Sequence, residues 1–229
     1  MFGFGLYVAG SVMLTSMAIT NAYMAKQQFY PTVIYLVTSK TNMVVLANMA
    51  LAMLVLFGRM IKTIFFGSLR DAELERLQDR SRIAVIETCL MMTMFREEFS
   101  FQFAALFAVL LFVKIFHWLT RDRIDFIEQQ PNAGRLAHVR IVVIMGLLLT
   151  VDSLSVAGAI STILAKGPSM LLLFVFEYII LIITIVRTFS KYAFFIVDNA
   201  LDNQWESKGI WGFYMELLAD FLQLFEILV

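Results

Sequence analysis

Cysteine occurs once (Cys89) and histidine twice (His117, His138) in 229 residues. Three such residues cannot form an internal disulfide, nor a structural zinc site with the usual four Cys/His ligands. Proline occurs three times and no Gly/Ser-rich or low-complexity run is present, which leaves little room for linkers or disordered tails. Eighteen basic and eighteen acidic residues cancel, so no net positive field draws the chain to nucleic acid. There is no P-loop, dinucleotide-binding fingerprint, HExxH or nucleophile elbow, and the enzyme classes those motifs mark are not indicated. What the chain has in excess is apolar character. Its residues are 60% hydrophobic and its mean hydropathy is +0.80, against roughly 45–50% apolar residues in soluble domains. The expected fold is all-α: a polytopic bundle of membrane helices, each needing about 20 residues to cross the hydrocarbon core.

Charge-poor stretches place the spans at about 4–25, 41–59, 79–96, 99–119, 141–163, 168–195 and 210–229. Residues 1–25 carry no charge. Without the basic start of a cleavable signal peptide, the first span reads as a retained anchor. The segment 83–95 is interrupted only by Glu87, and it is too short to cross unless residues 78–82 enter the membrane with it. Charge asymmetry decides the matter. If 83–95 crosses, one side collects Arg59, Lys62, Arg70, Arg76, Arg80, Arg82, Arg121, Arg123, Arg135, Arg140, Arg187, Lys191 and Lys208, and the other Lys26, Lys40, Arg96 and Lys166. If it does not, the bias disappears. Positive charge gathers on the cytosolic side, so seven spans are expected, with the N-terminus cytosolic. Between spans two and three, RDAELERLQDRSR (70–82) places Glu73 near Arg76 and Asp79 near Arg82, as in a solvated helix running into the membrane or a protein-docking surface.

Ionisable and polar residues within spans usually face a bundle interior or water. The candidates are Glu87, Thr88, Lys114, His117, Asp152, Ser155, Glu177, Tyr178, Glu216 and Asp220. Lys114, His117 and Arg121 share one helix face, and Glu216, Asp220 and Gln223 form another stripe. Glu87 and Lys114 fall at similar depth, which suggests a buried pair. Asp152 and Glu177 fall near mid-membrane and must be hydrated, hydrogen-bonded or protonated; Ser153, Ser155, Thr162 and Tyr178 are candidate partners. These groups could hydrogen-bond helix to helix or line a water-filled cavity, and 210–229 could instead lie at the interface. His117-Trp118 could hint at an acyltransferase histidine, but a lone histidine near a helix end reads as structural.

QFYPTVIYL (28–36), FFGSLR (65–70), RSRIAVIETCLMMTMFREEFS (80–100) and ALFAVLLFVKIFHWLTRDRIDFIEQQPN (105–132) closely resemble the synoviolin (Hrd-type) ubiquitin ligases of the endoplasmic reticulum. FEYIIL (176–181) and the stretch Tyr214 to Leu217 also resemble that family. The resemblance runs from about residue 20 onward and is most specific over 28–132. It implies a multi-pass endoplasmic reticulum membrane protein of ER-associated degradation. Family members have eight membrane helices and then a cytosolic, zinc-binding RING that recruits a ubiquitin-conjugating enzyme. Their expected partners are derlin, a luminal adaptor of Sel-type repeats, misfolded protein substrates and membrane lipid, with homodimerisation left open and no nucleic acid.

A RING needs eight zinc ligands, so by this resemblance the ligase domain and its zinc are expected beyond residue 229, and no catalytic residue is expected within this chain. The polar intramembrane residues are then expected to line a hydrated path, shared with derlin, for retrotranslocation of misfolded proteins. The 26–40 loop and the 96–100 turn are the expected adaptor surfaces. Two other readings remain open: a small-solute transporter or channel, and a non-catalytic membrane scaffold. The chain shows no internal repeat of the kind transporters often carry.

Overall fold

The computed structural model describes residues 2–94, 101–129, 134–167, 171–200, 209–214, 217 and 221. All regular structure among them is helical, as the apolar periodicity and length require. The elements are α1 (Phe2–Lys26), α2 (Phe29–Thr38), α3 (Lys40–Ile61), a π-helical turn (Lys62–Phe66), α4 (Asp71–Met94), α5 (Phe101–Gln129), α6 (Arg135–Lys166) and α7 (Leu171–Ala200). Among the described residues five helices are long and apolar enough to cross a membrane: α1, α3 with its π extension, α5, α6 and α7. The chain divides into two compact units, Met1–Ile64 and Phe65–Val229.

In the first unit α1, α2 and α3 pack on one another. Ala22 and Ala52 are fully buried, and such small side chains let membrane helices approach closely. Polar groups tie α1 to α3: Tyr7 Oη donates to Asn48 Oδ1 at 2.7 Å, and Asn48 Nδ2 donates to Ser11 Oγ at 3.0 Å. The segment 26–40, expected as a loop, is mostly the ten-residue helix α2. Pro31 stands at its third position, inside the first turn, where no intrahelical bond from its missing N–H is needed. At ten residues α2 is too short to span.

In the second unit α5 is central and packs against α4, α6 and α7, while α6 and α7 pack on each other. The charged segment 70–82 and the apolar segment after it form one continuous helix, α4. α6 stops at Gly167, whose φ of +89° is a conformation that residues with a Cβ rarely adopt. Many apolar side chains on the bundle's outside are exposed, including Leu154 and Leu164 on α6, as lipid-facing positions are. The expected seventh span, 210–229, lies largely outside the described residues, although 209–214 are helical.

The charges of α4 are not a solvated stripe alone. Glu73 is 1% exposed. It accepts hydrogen bonds from the backbone N–H of Arg70 (3.0 Å) and from Arg70 Nη2 (3.2 Å), and it pairs with Arg123 of α5 at 3.3 Å. The reach from the third helical position back to Arg70 N–H satisfies a donor that the helix start leaves open. Asp122 of α5, also buried, pairs with Arg80 (3.3 Å) and Arg76 (3.7 Å). The local Glu73–Arg76 pairing expected from spacing is therefore replaced by pairing between helices. Arg123 Nη2 also donates to the carbonyls of Phe66 (2.9 Å) and Ser68 (3.2 Å), and the Arg70 guanidinium stacks on Phe126 at 3.4 Å. Breaking one partner of a buried pair leaves an uncompensated charge, so this ionic clamp fixes the register of α4 on α5.

Candidate functional site

That register sets the site. With Arg80 level with Asp122, an antiparallel helix brings Glu87, seven positions on, level with residue 115. Glu87 and Lys114 do line one cavity, of about 910 Å³, in the second unit. Its walls come mainly from α5 and α7. On α5 the polar lining residues Lys114, His117, Arg121 and Asp125 recur every three or four positions, one face of a helix. On α7 Glu177, Thr184, Thr188 and Lys191 repeat the pattern. Apolar side chains such as Phe176, Ile180 and Trp118 separate the polar ones.

Lys114 Nζ lies 2.7 Å from Glu177 Oε2, with both side chains about a quarter exposed. The pair expected between Lys114 and Glu87 is absent from the ion pairs of the described residues. Both residues border the cavity, but the Lys114 ammonium meets Glu177 of α7. At the end of the cavity near Gln129, Lys191 of α7 pairs with Asp125 (2.8 Å) and Glu128 (2.9 Å) of α5. From Lys191 to Glu177 is fourteen positions, about 21 Å of helix. Toward Phe101, beyond the lining residues, α5 and α7 meet through aromatic rings. Phe103, Phe107 and Phe174 are buried, with centroids 4.9, 5.4 and 4.8 Å apart pairwise.

His117 faces two ways. Its ring borders the cavity, yet the side chain is 1% exposed, with Nε2 3.0 Å from Oδ2 of the fully buried Asp152 on α6. Nδ1 lies 3.1 Å from the Val113 carbonyl. A carbonyl can only accept, so Nδ1 carries a proton. Close as they lie, Nε2 and the two Asp152 oxygens make no hydrogen bond of good geometry among the described residues.

Four of the ten sequence candidates, Glu87, Lys114, His117 and Glu177, thus border the cavity, and Asp152 is held behind His117. Thr88 and Ser155 instead donate to carbonyls of their own helices, those of Ala84 (2.7 Å) and Val151 (2.8 Å). Tyr178 is buried beside Ser155. Glu216 and Asp220 lie outside the described residues. Sequence reasoning missed Asp125, Thr184, Arg187, Thr188 and Lys191. Extending the helical period from Glu177 along α7 would have found most of them.

Cys89, His117 and His138 sit on three different helices. His117 is engaged by Asp152, and His138 Nδ1 lies 2.7 Å from Tyr192 Oη. They do not fit a zinc site.

A family profile described as "E3 ubiquitin-protein ligase synoviolin-like, TPR repeats" matches residues 3–229. The chain is 26% identical over 224 residues to the "ERAD-associated E3 ubiquitin-protein ligase hrd1" of Schizosaccharomyces pombe, a match covering 96% of this chain and 33% of that protein. The chain therefore spans about a third of the length of this curated relative. The repeat wording in the profile's description does not fit the geometry. A TPR unit folds two helices within 34 residues, whereas α5, α6 and α7 take 29, 32 and 30 residues each.

Proposed function

The chain belongs to the synoviolin-like family of E3 ubiquitin-protein ligases, and on that premise we propose that it forms the membrane domain of a ligase of ER-associated degradation, offering misfolded chains a hydrated half-path out of the endoplasmic reticulum. The observation that carries this reading is the α5–α7 cavity, whose polar lining runs from Lys191 to Glu177, about 21 Å of helix. A polypeptide in the bilayer brings backbone polar groups that lipid cannot satisfy. Side chains such as Lys114, Glu177 and Glu87 exchange hydrogen bonds with water or with a passing backbone, which lowers that cost.

In this reading the end carrying Arg70, Arg76, Arg80, Arg121, Arg123, Arg187 and Lys191 faces the cytosol, following the positive-inside rule, and the N-terminus is cytosolic. The chain crosses seven times, α4 and the 210–229 segment included. Ubiquitin transfer belongs to a zinc-bound RING carried outside these residues, together with the ubiquitin-conjugating enzyme it recruits. Derlin completes the path laterally, and a Sel-repeat adaptor sits on the luminal side.

Site-specific photocrosslinking tests the conduit. A photoreactive residue at Glu177 or Thr184, on the cavity wall, is expected to capture a stalled misfolded substrate. The same residue at Leu154 or Leu164, on the exposed face of α6, is expected to capture lipid or nothing. Equal substrate capture from both faces would sink the proposal.

A further inference from the structure

The charges lining the cavity are not all neutralised. Lys114 is paired with Glu177, and Lys191 with two carboxylates, Asp125 and Glu128. Arg121 and Arg187 line the same cavity and have no carboxylate within ion-pair distance among the described residues. The remaining acid of the lining, Glu87, sits at the level of Lys114, about 10 Å deeper along the helix than Arg121. The neighbouring hydroxyls of Thr184 and Thr188 give their protons to the carbonyls of Ile180 (2.9 Å) and Thr184 (2.7 Å) and offer no charge to offset a guanidinium. Along their helices Arg121 and Arg187 stand one turn inside the Lys191 cluster, four positions from Asp125 and four from Lys191. Inward of them Met91, Trp118, Phe176 and Ile180 give the wall an apolar strip that runs beside Glu87, Lys114 and Glu177.

We propose that Arg121 and Arg187 bind the phosphate of an anionic phospholipid whose acyl chain runs inward along Met91, Trp118, Phe176 and Ile180. Guanidinium forks match phosphate oxygens in pairs, and basic pockets between membrane helices suit anionic headgroups. A volume of about 910 Å³ falls within the roughly 300–1,000 Å³ of small-molecule sites. An amphiphile fits the arrangement better than a soluble anion, because a free phosphate leaves the apolar wall uncovered. The assignment stands whether or not a polypeptide ever passes through the cavity.

Native mass spectrometry of the full-length protein, titrated with dioleoyl phosphatidic acid and separately with dioleoyl phosphatidylcholine, tests it. Phosphatidic acid is expected to bind at least about tenfold more tightly, as two charge-assisted contacts allow. R121Q/R187Q is expected to abolish that preference and leave phosphatidylcholine binding unchanged, whereas R121K/R187K restores part of it. R135Q/R140Q, on α6 away from the cavity, is expected to change nothing. Equal binding of the two lipids by the unaltered protein overturns the proposal without recourse to any variant. So does an R135Q/R140Q effect as large as that of R121Q/R187Q, which indicates a general surface field. Displacement of phosphatidic acid by glycerol phosphate at equal concentration overturns the lipid assignment in favour of a soluble anion.

Discussion

The two ends of the α5–α7 contact are built from the same pair of unbroken helices and behave as opposites. Toward Phe101 the helices close on each other through Phe103, Phe107 and Phe174, rings in mutual contact with almost no exposure. Toward Gln129 the facing positions are long and charged, and the helices enclose a cavity instead. Aromatic pairs gain from burial and from edge-to-face contact, so they draw the helices together. Paired charges lose hydration when buried and regain it only partly from each other, so they favour a gap that water can fill. Such a cavity therefore needs no broken helix of the kind transporters use; the choice of side chain at every third or fourth position is sufficient.

The strongest way to break this contrast is to remove the seal. Replacing Phe107 and Phe174 together by alanine is expected to destabilise the second unit by about 3–5 kcal/mol or more, since one such change in a close-packed core already costs that much. It should also lengthen the cavity. The readout is a cysteine at Leu110, which is 4% exposed, in a C89S background. That cysteine should resist a water-soluble maleimide in the sealed protein and react in the F107A/F174A variant. Reactivity that is already high, or that does not change, would show that the rings do not close the path.

A smaller effect separates the two ionic pairs within the polar end. His117 and Asp152 are fully enclosed, whereas Lys114 and Glu177, a turn away, keep about a quarter of their side-chain surface. Asp152→Leu leaves His117 with a buried nitrogen and no partner, expected to cost about 2 kcal/mol in thermal or denaturant unfolding. The double variant H117L/D152L removes both members and should recover much of that loss, as apolar replacement of buried ion pairs often does. A double variant as unstable as the sum of the singles would mean that the dyad is not a coupled unit.

How much of this was legible beforehand follows from what each sequence signal measures. Charge-free length located α1, α3, α5, α6 and α7, because the hydrocarbon core sets a length and excludes charge. Depth placed Glu87 beside Lys114, and both border the cavity. Depth says nothing about the rotation of a helix about its axis, so Lys114 was matched to Glu87 although α5 turns it to Glu177. Asp152 was matched to nearby hydroxyls although its partner, His117, comes from another helix, 35 positions earlier. The charges of α4 misled for a related reason. Glu73 and Arg76 have the spacing of a helical pair, but Arg123 and Asp122 on α5 draw them apart. Contacts between helices depend on register, and a single sequence does not carry register.

The finest comparison is between a pair in water and a pair out of it. Lys114→Met and Glu177→Met, singly and together, form a double-mutant cycle that isolates the pair's own contribution. Because both side chains are partly exposed, the coupling is expected to be about 1 kcal/mol or less, near the values for accessible pairs and for polar contacts between membrane helices. It should shrink further with added salt, since screening reaches charges that water reaches. The His117–Asp152 coupling, measured by the same protocol, should be larger and insensitive to salt. Should the Lys114–Glu177 coupling prove the larger of the two, or stay unchanged from low to high salt, the cavity around it is dry, and the polar end would be a packed interface rather than a hydrated path.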